Sequence, residues 1–120
     1  MLNSFQRGRL EEDRAFNYLK RQGLKPLTRN YKTPVGEIDI IMMDREVTVF
    51  IEVRARSKNT RMDSIETINQ KKCKRIIQAS NHYLQKTKRL DKDICRFDLI
   101  LICGPLESAE IQWIKNAFNA

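Results

Sequence analysis

Gly36-Glu37-Ile38-Asp39-Ile40-Ile41-Met42-Met43 and Val47-Thr48-Val49-Phe50-Ile51-Glu52-Val53-Arg54 form the stretch that decides the fold. Both runs are rich in β-branched and large apolar residues, which suit a pleated surface. Asp44-Arg45-Glu46 between them fits a tight hairpin connection, though without the favoured Asn-Gly. Glu37 to Met43 and Val47 to Arg54 are therefore predicted strands. They carry acids where strand interiors disfavour them. Alternation puts Glu37, Asp39 and Ile41 on one face, and Phe50, Glu52 and Arg54 on one face of the next strand. In a hairpin, Asp39 and Glu52 become neighbours. Buried charge is costly unless it is paired or metal-bound. Two readings fit equally well. One is a solvent-facing strand surface with Glu52 and Arg54 as an ion pair. The other is an oxygen-rich site for Mg²⁺ or Mn²⁺, whose charge removes the repulsion between the two carboxylates.

Outward from this pair, Leu2 to Gln22 reads as a helix. Phe5, Leu10, Ala15, Phe16 and Leu19 supply its apolar face, and Gly23 fits the position just past its end. Leu24 to Lys32 reads as a short strand, with Pro26 pushing it to a sheet edge. Thr33-Pro34-Val35-Gly36 is a turn signal. Beyond the second strand, 57–62 is a polar loop. Asp63 with Glu66 has the form of a capping box, and a long helix is predicted from there to about Thr87. Leu90 to Asp93 is a polar turn. Arg96 to Cys103 is an apolar strand ended by Gly104-Pro105, and Ala109 to Ile114 a last edge strand. The order αβββαββ gives one α/β domain over residues 1–120, a mixed central sheet flanked by helices.

The chain has 120 residues, with 23 Lys and Arg against 15 Asp and Glu. No apolar run approaches a membrane span, and the first ten residues lack a secretory signal. Three cysteines without a C-x-x-C pair and a single His82 leave too few ligands for structural zinc. Sparse cysteine use fits a reducing cytoplasm. The charge is concentrated: Arg54 to Lys92 holds 12 Lys and Arg against 3 Asp and Glu, and the other 81 residues carry a net −1. A basic block this local is the footprint of a polyanionic partner, nucleic acid before membrane.

Two helical residues join the strand acids. Glu12 shares a helical face with Ala15, Phe16 and Leu19, which turns it to the core side, while Glu11 and Asp13 can point outward. Glu12 is thus a candidate third carboxylate. On the second helix, Lys72 falls about 40° from Ile76 and about 20° from Tyr83 around the helical wheel. It is placed to reach a phosphate or carboxylate, or to snorkel at the stripe's edge. Lys71, Lys74 and Arg75 lie away from that stripe.

With these motifs placed, the chain resembles the bacterial YraN-like family of uncharacterised proteins. The resemblance rests on Gly8-x-x-x-Glu12-x-x-Ala15, Arg29-Asn30, Gly36-Glu37-Ile38-Asp39, Phe50-Ile51-Glu52-Val53-Arg54-x-Arg56, Lys72 with Arg75-Ile76 and Ala79, and Arg96-Phe97-Asp98. That family is similar to PD-(D/E)xK nucleases and archaeal-type Holliday-junction resolvases. The resemblance implies a restriction-endonuclease-like core and a metal-dependent endonuclease that hydrolyses DNA phosphodiesters at branched or junction structures, in repair or recombination. Asp39, Glu52 and Glu12 would hold Mg²⁺ or Mn²⁺, with Glu37 in support. Arg54 takes the place of the usual Lys and cannot act as a base at neutral pH. Lys72, Arg56, Lys71, Arg75 and Asn30 would meet nucleic acid. Resolvases of this fold work as two-fold dimers, so a homodimer is implied too. The alternatives are a nucleic-acid-binding module with a degenerate nuclease site, and an adaptor for a protein partner.

Overall fold

A computed structural model describes residues 2–56, 68–89 and 94–120. The first predicted helix forms as α1, Ser4–Arg21. The Asn3 side chain accepts the Gln6 N–H, and the Gln6 side chain accepts the Asn3 N–H. This reciprocal cap satisfies two donors that a helix start leaves orphaned. Gly23, at φ 99°, ends the helix in a conformation that glycine adopts without a Cβ penalty.

Three strands follow as an antiparallel meander: β1 Lys25–Thr33, β2 Gly36–Asp44 and β3 Val47–Arg56. The second described helix, α2, is Gln70–Lys86. It lies between β3 and β4, Ile94–Cys103, which run parallel and so need a crossover. A short 3₁₀ turn, Leu106–Ser108, precedes β5, Glu110–Phe118, antiparallel to β4. The sheet order is β1-β2-β3-β4-β5. The αβββαββ order and the mixed sheet are those expected from the sequence, with Pro26 on an edge strand as its missing N–H requires.

The two helices take opposite faces of the sheet. Ala15 and Leu19 of α1 pack with Ile40, Met42, Val49, Ile51, Ile100 and Ile102. Ile76, Ala79, Tyr83 and Leu84 of α2 pack with Ile38, Ile41, Phe50 and Phe97. Each fully buried Leu, Ile or Phe contributes about 2 kcal/mol of apolar burial. Among the described residues, no helix is long and apolar enough to cross a membrane.

Two boundaries differ from expectation. Asn69, not Asp63, caps α2, its side chain accepting the Lys72 N–H at 2.8 Å. Asp63, Glu66 and the predicted loops at 57–62 and 90–93 lie outside the described residues. The last strand runs to Phe118, beyond the predicted Ile114. The reason is Asp98, fully buried on β4. Its carboxylate accepts from Arg96 Nε at 2.9 Å and Nη2 at 3.0 Å, Trp113 Nε1 at 2.9 Å and the Asn116 N–H at 3.1 Å. Asn116 sits at φ 53°, where the β4–β5 register shifts. The acid thus stitches the irregular end of β5 onto β4, and Trp113 serves packing and this bond.

A paired-carboxylate candidate active site

The site begins with a reversal of faces in the β1–β2 ribbon. On β1, Arg29 reaches Glu12 of α1, yet Tyr31, two residues on, bonds His82 of α2. On β2, Ile40 packs with the α1 cluster while Ile38 packs with the α2 cluster. Strict alternation would place each of these pairs on one face. The switch falls between them, at Asn30 and Asp39. Asn30 has φ 52°, a left-handed conformation that Asn tolerates better than most residues. The expectation that Asp39 shares a face with Ile41 is therefore corrected.

Freed from either face, Asp39 turns sideways toward β3. Backbone pairing of β2 with β3 reaches Ile40 opposite Ile51. One step further, Asp39 Oδ2 accepts the Val53 N–H at 2.9 Å. The Asp39 carboxyl is also hydrogen-bonded to Glu52. Burial, followed by the Glu52 charge, pushes the Asp39 carboxyl from its ordinary 3.8 up to about 8. Glu52 is itself buried, with Oε2 3.4 Å from both Lys72 Nζ and Arg54 Nη2. Glu52 therefore does not face solvent, and its expected ion pair with Arg54 forms. Lys72 reaches inward from α2, as its helical phase implies.

Gly36 sets the distance of α2 from the ribbon. A Cβ there would lie 2.8 Å from the Arg75 carbonyl oxygen and 3.1 Å from Arg75 Cβ. Only glycine lets the β1–β2 turn approach the α2 backbone this closely.

Glu12 stands across a cavity of about 300 Å³ that Asp39, Asn30 and exposed Glu37 also line. Its Oε1 accepts from Arg29 Nη2 at 3.1 Å and Asn30 Nδ2 at 3.0 Å. Burial and the Asp39 charge raise the Glu12 carboxyl above its ordinary range, against the opposing pull of Arg29. Arg29 also holds Asp13 at 2.7 Å and lies 4.6 Å from the Phe16 ring centroid. Among the described residues, no three His, Cys, Asp or Glu side chains are grouped to hold a metal ion. The structure brings Asp39 and Glu52 together but keeps Glu12 apart, in the grip of Arg29 and Asn30. Glu11 does not point outward as expected: it is half-buried, lines the same cavity, and lies 3.5 Å from Arg7.

The remaining basic residues spread around this centre. Lys71 and Lys74 are exposed beside Ile68, Cys73 and Phe118, and Arg75 borders the Gly36 turn. Arg56 closes β3, its Nη1 donating to the Ala55 carbonyl at 3.1 Å. Among the described residues, Arg29 Nε and Arg54 Nε are buried without a hydrogen-bond partner. Arg29 and the Val53 N–H were not among the predicted site residues. Their roles depend on the register of β1 and β3, which local pattern does not encode.

With this geometry in view, the comparisons become informative. A model of the uncharacterised protein family UPF0102 matches residues 11–102. The chain belongs to the UPF0102 (YraN-like) family. A UPF0102 protein from Nitrosococcus oceani is 43% identical over 113 residues, 94% of this chain and 91% of the relative. One from Legionella pneumophila is 43% identical over 115 residues, 96% of each chain. One from Stutzerimonas stutzeri is 35% identical over the full length of both. UPF0102 membership thus covers every element that builds the paired-carboxylate site.

Proposed function

We infer that this UPF0102 protein is a metal-dependent endonuclease that hydrolyses nucleic-acid phosphodiesters, with DNA at branched or junction structures as its expected substrate. The observation that carries this reading is the pairing of half-buried Asp39 with buried Glu52, met by Lys72 and Arg54 at the edge of a basic helix. Mg²⁺ is commonly held by one or two carboxylates, with water and phosphate completing its shell. A donor set of two carboxylates, one pushed toward neutrality by the other, fits Mg²⁺ or Mn²⁺ in that way. When bound, such an ion would supply Lewis acidity to water and to the phosphate.

The chain's own groups then divide the work. Asp39 would give up its proton to hold the cation. Glu52 would share the cation and so release Lys72 Nζ and Arg54 Nη2, which now neutralise Oε2. Both cations would then turn to the scissile phosphate and stabilise the charge that grows there. Glu12, oriented through Oε1 by Arg29 and Asn30, would present Oε2 to the attacking water. Lys71, Arg75 and Arg56 would hold neighbouring phosphates, which makes binding salt-sensitive. Paired cuts across a junction would require a homodimer.

A second reading, a nucleic-acid-binding module with a weakened nuclease site, is favoured by Arg54. Its guanidinium stays protonated at neutral pH and cannot take a proton from water.

The test is cleavage of labelled single-stranded, duplex, flap and four-way-junction DNA with Mg²⁺ and with Mn²⁺. Wild-type protein is expected to cut, and Asp39→Asn to bind DNA without cutting. Binding without cutting by the wild type would replace the first reading by the second.

A further inference from the structure

Lys72 and Arg54, which suit a phosphate, meet Glu52 outside the lining of the cavity beside Asp39. On the α1 side the wall is formed by Phe5, Gly8, Arg9 and Glu12, residues spaced by three and four on one helical face. Glu37 and Asp39 lie opposite them. A phosphate pushed into this side would meet four carboxyl groups, Glu11, Glu12, Glu37 and Asp39, beside the single guanidinium of Arg9. A neutral aromatic ring would not be repelled.

Phe5 is 72% exposed, at the mouth of this cavity. Its ring lies 6.0 Å from the Arg9 guanidinium carbon, so the two present a flat, polarised surface. Gly8 stands between Phe5 and Glu12. A Cβ there would meet nothing within 4 Å, so no packing within the fold calls for glycine. Glycine inside a helix costs about 1 kcal/mol against Ala. Its effect here is open space in the wall of the cavity that Asp39 also lines.

We propose that this α1 wall is a nucleobase subsite, in which one unpaired base stacks on Phe5 and passes over Gly8 while its phosphate faces Lys72 and Arg54. The proposal rests on the nuclease reading for its polarity, and it names the substrate class: strands with an accessible unpaired nucleotide, as in single strands, flaps and junction branch points. In a continuous duplex, stacked bases cannot reach Phe5.

The experiment uses a short single-stranded oligonucleotide carrying one 2-aminopurine, titrated without divalent metal at low salt, beside a continuous duplex of the same sequence. Wild-type protein is expected to change the 2-aminopurine emission on binding. Phe5→Ala is expected to remove that change and weaken single-strand affinity about tenfold, with duplex affinity held within about twofold. The residue is on the surface, so the fold is not at risk. Gly8→Leu supplies an independent readout: it is expected to raise the melting temperature and yet weaken single-strand binding. Equal effects of Phe5→Ala on single strand and duplex, or none, overturn the proposal. So does a shift of oligomeric state in Phe5→Ala with unaltered binding, which would place Phe5 between two copies of the chain. The two readings fail separately. Phe5-dependent stacking with no cleavage under Mg²⁺ or Mn²⁺ keeps the base subsite and removes the nuclease. Cleavage indifferent to Phe5→Ala does the reverse.

Discussion

Asp39 is the residue on which the site turns. It is half-buried, its carboxyl accepts one backbone N–H, and it lies against a second acid that already holds two cations. Burial, and then the Glu52 charge, push its carboxyl up to about 8. The consequence for stability has a definite sign. Unfolded, Asp39 titrates at its ordinary 3.8; folded, at about 8. Its contribution is fully present below about pH 4 and is lost as pH rises through 8. Asp39→Asn cannot ionise, so in EDTA it is expected to be the more stable protein at pH 8.5, by about 1 kcal/mol or more, near 4 °C in Tm. That gain should shrink toward pH 5. Mg²⁺ should raise the Tm of the wild type and leave Asp39→Asn unmoved. Thermal unfolding at the two pH values measures both effects. A variant less stable than wild type at pH 8.5 would show that Asp39 is an ordinary ionised surface acid.

At the scale of elements, α2 brings positive charge to the pair and β4–β5 keep the sheet edge in order. Lys72 and Lys74 lie two residues apart on the same helix, but only Lys72 meets Glu52. Lys72→Ala is expected to weaken oligonucleotide affinity about tenfold more than Lys74→Ala, the worth of one charge-assisted contact. Equal losses in a binding titration would show that α2 acts as a diffuse basic surface. The Asp98 clamp makes a contrasting prediction. Asp98→Ala leaves Arg96, Trp113 and the Asn116 N–H without their shared acceptor. It is expected to cost about 3–5 kcal/mol in chemical denaturation. Elements were also the scale at which sequence read best. Lys72 was placed by helical phase, and Glu52 by its alternation with Phe50. The face of Asp39 departs from simple alternation because the ribbon reverses at Asn30, whose backbone is left-handed at φ 52°. The predicted helix does not run unbroken through position 69 because the Asn69 side chain caps a start at Gln70, which local sequence does not rank above a continued helix. The need for glycine at position 36 depends on how close α2 comes, which no local pattern states.

For the whole molecule, the two faces of the sheet divide the chemistry. The α1 side carries Glu11, Glu12 and Glu37 with Arg9, Arg29 and an exposed aromatic, and the α2 side brings Lys72 to Glu52. Asp39, released from both faces, joins them. Under the proposed function, a net-basic chain with 23 Lys and Arg would have acids at its centre for a reason: the cations would draw in a polyanion, and the acids would remain for a divalent ion. The central claim is that Asp39 and Glu52 together form that cation site. It is tested most directly by calorimetric titration of Mn²⁺ into the wild-type protein and into Asp39→Asn at pH 8. The account predicts one bound ion in the wild type, tighter at pH 8 than at pH 6 because the ion must displace the Asp39 proton, and no binding in the variant. Absence of binding to the wild type, or equal binding to both proteins, would contradict it.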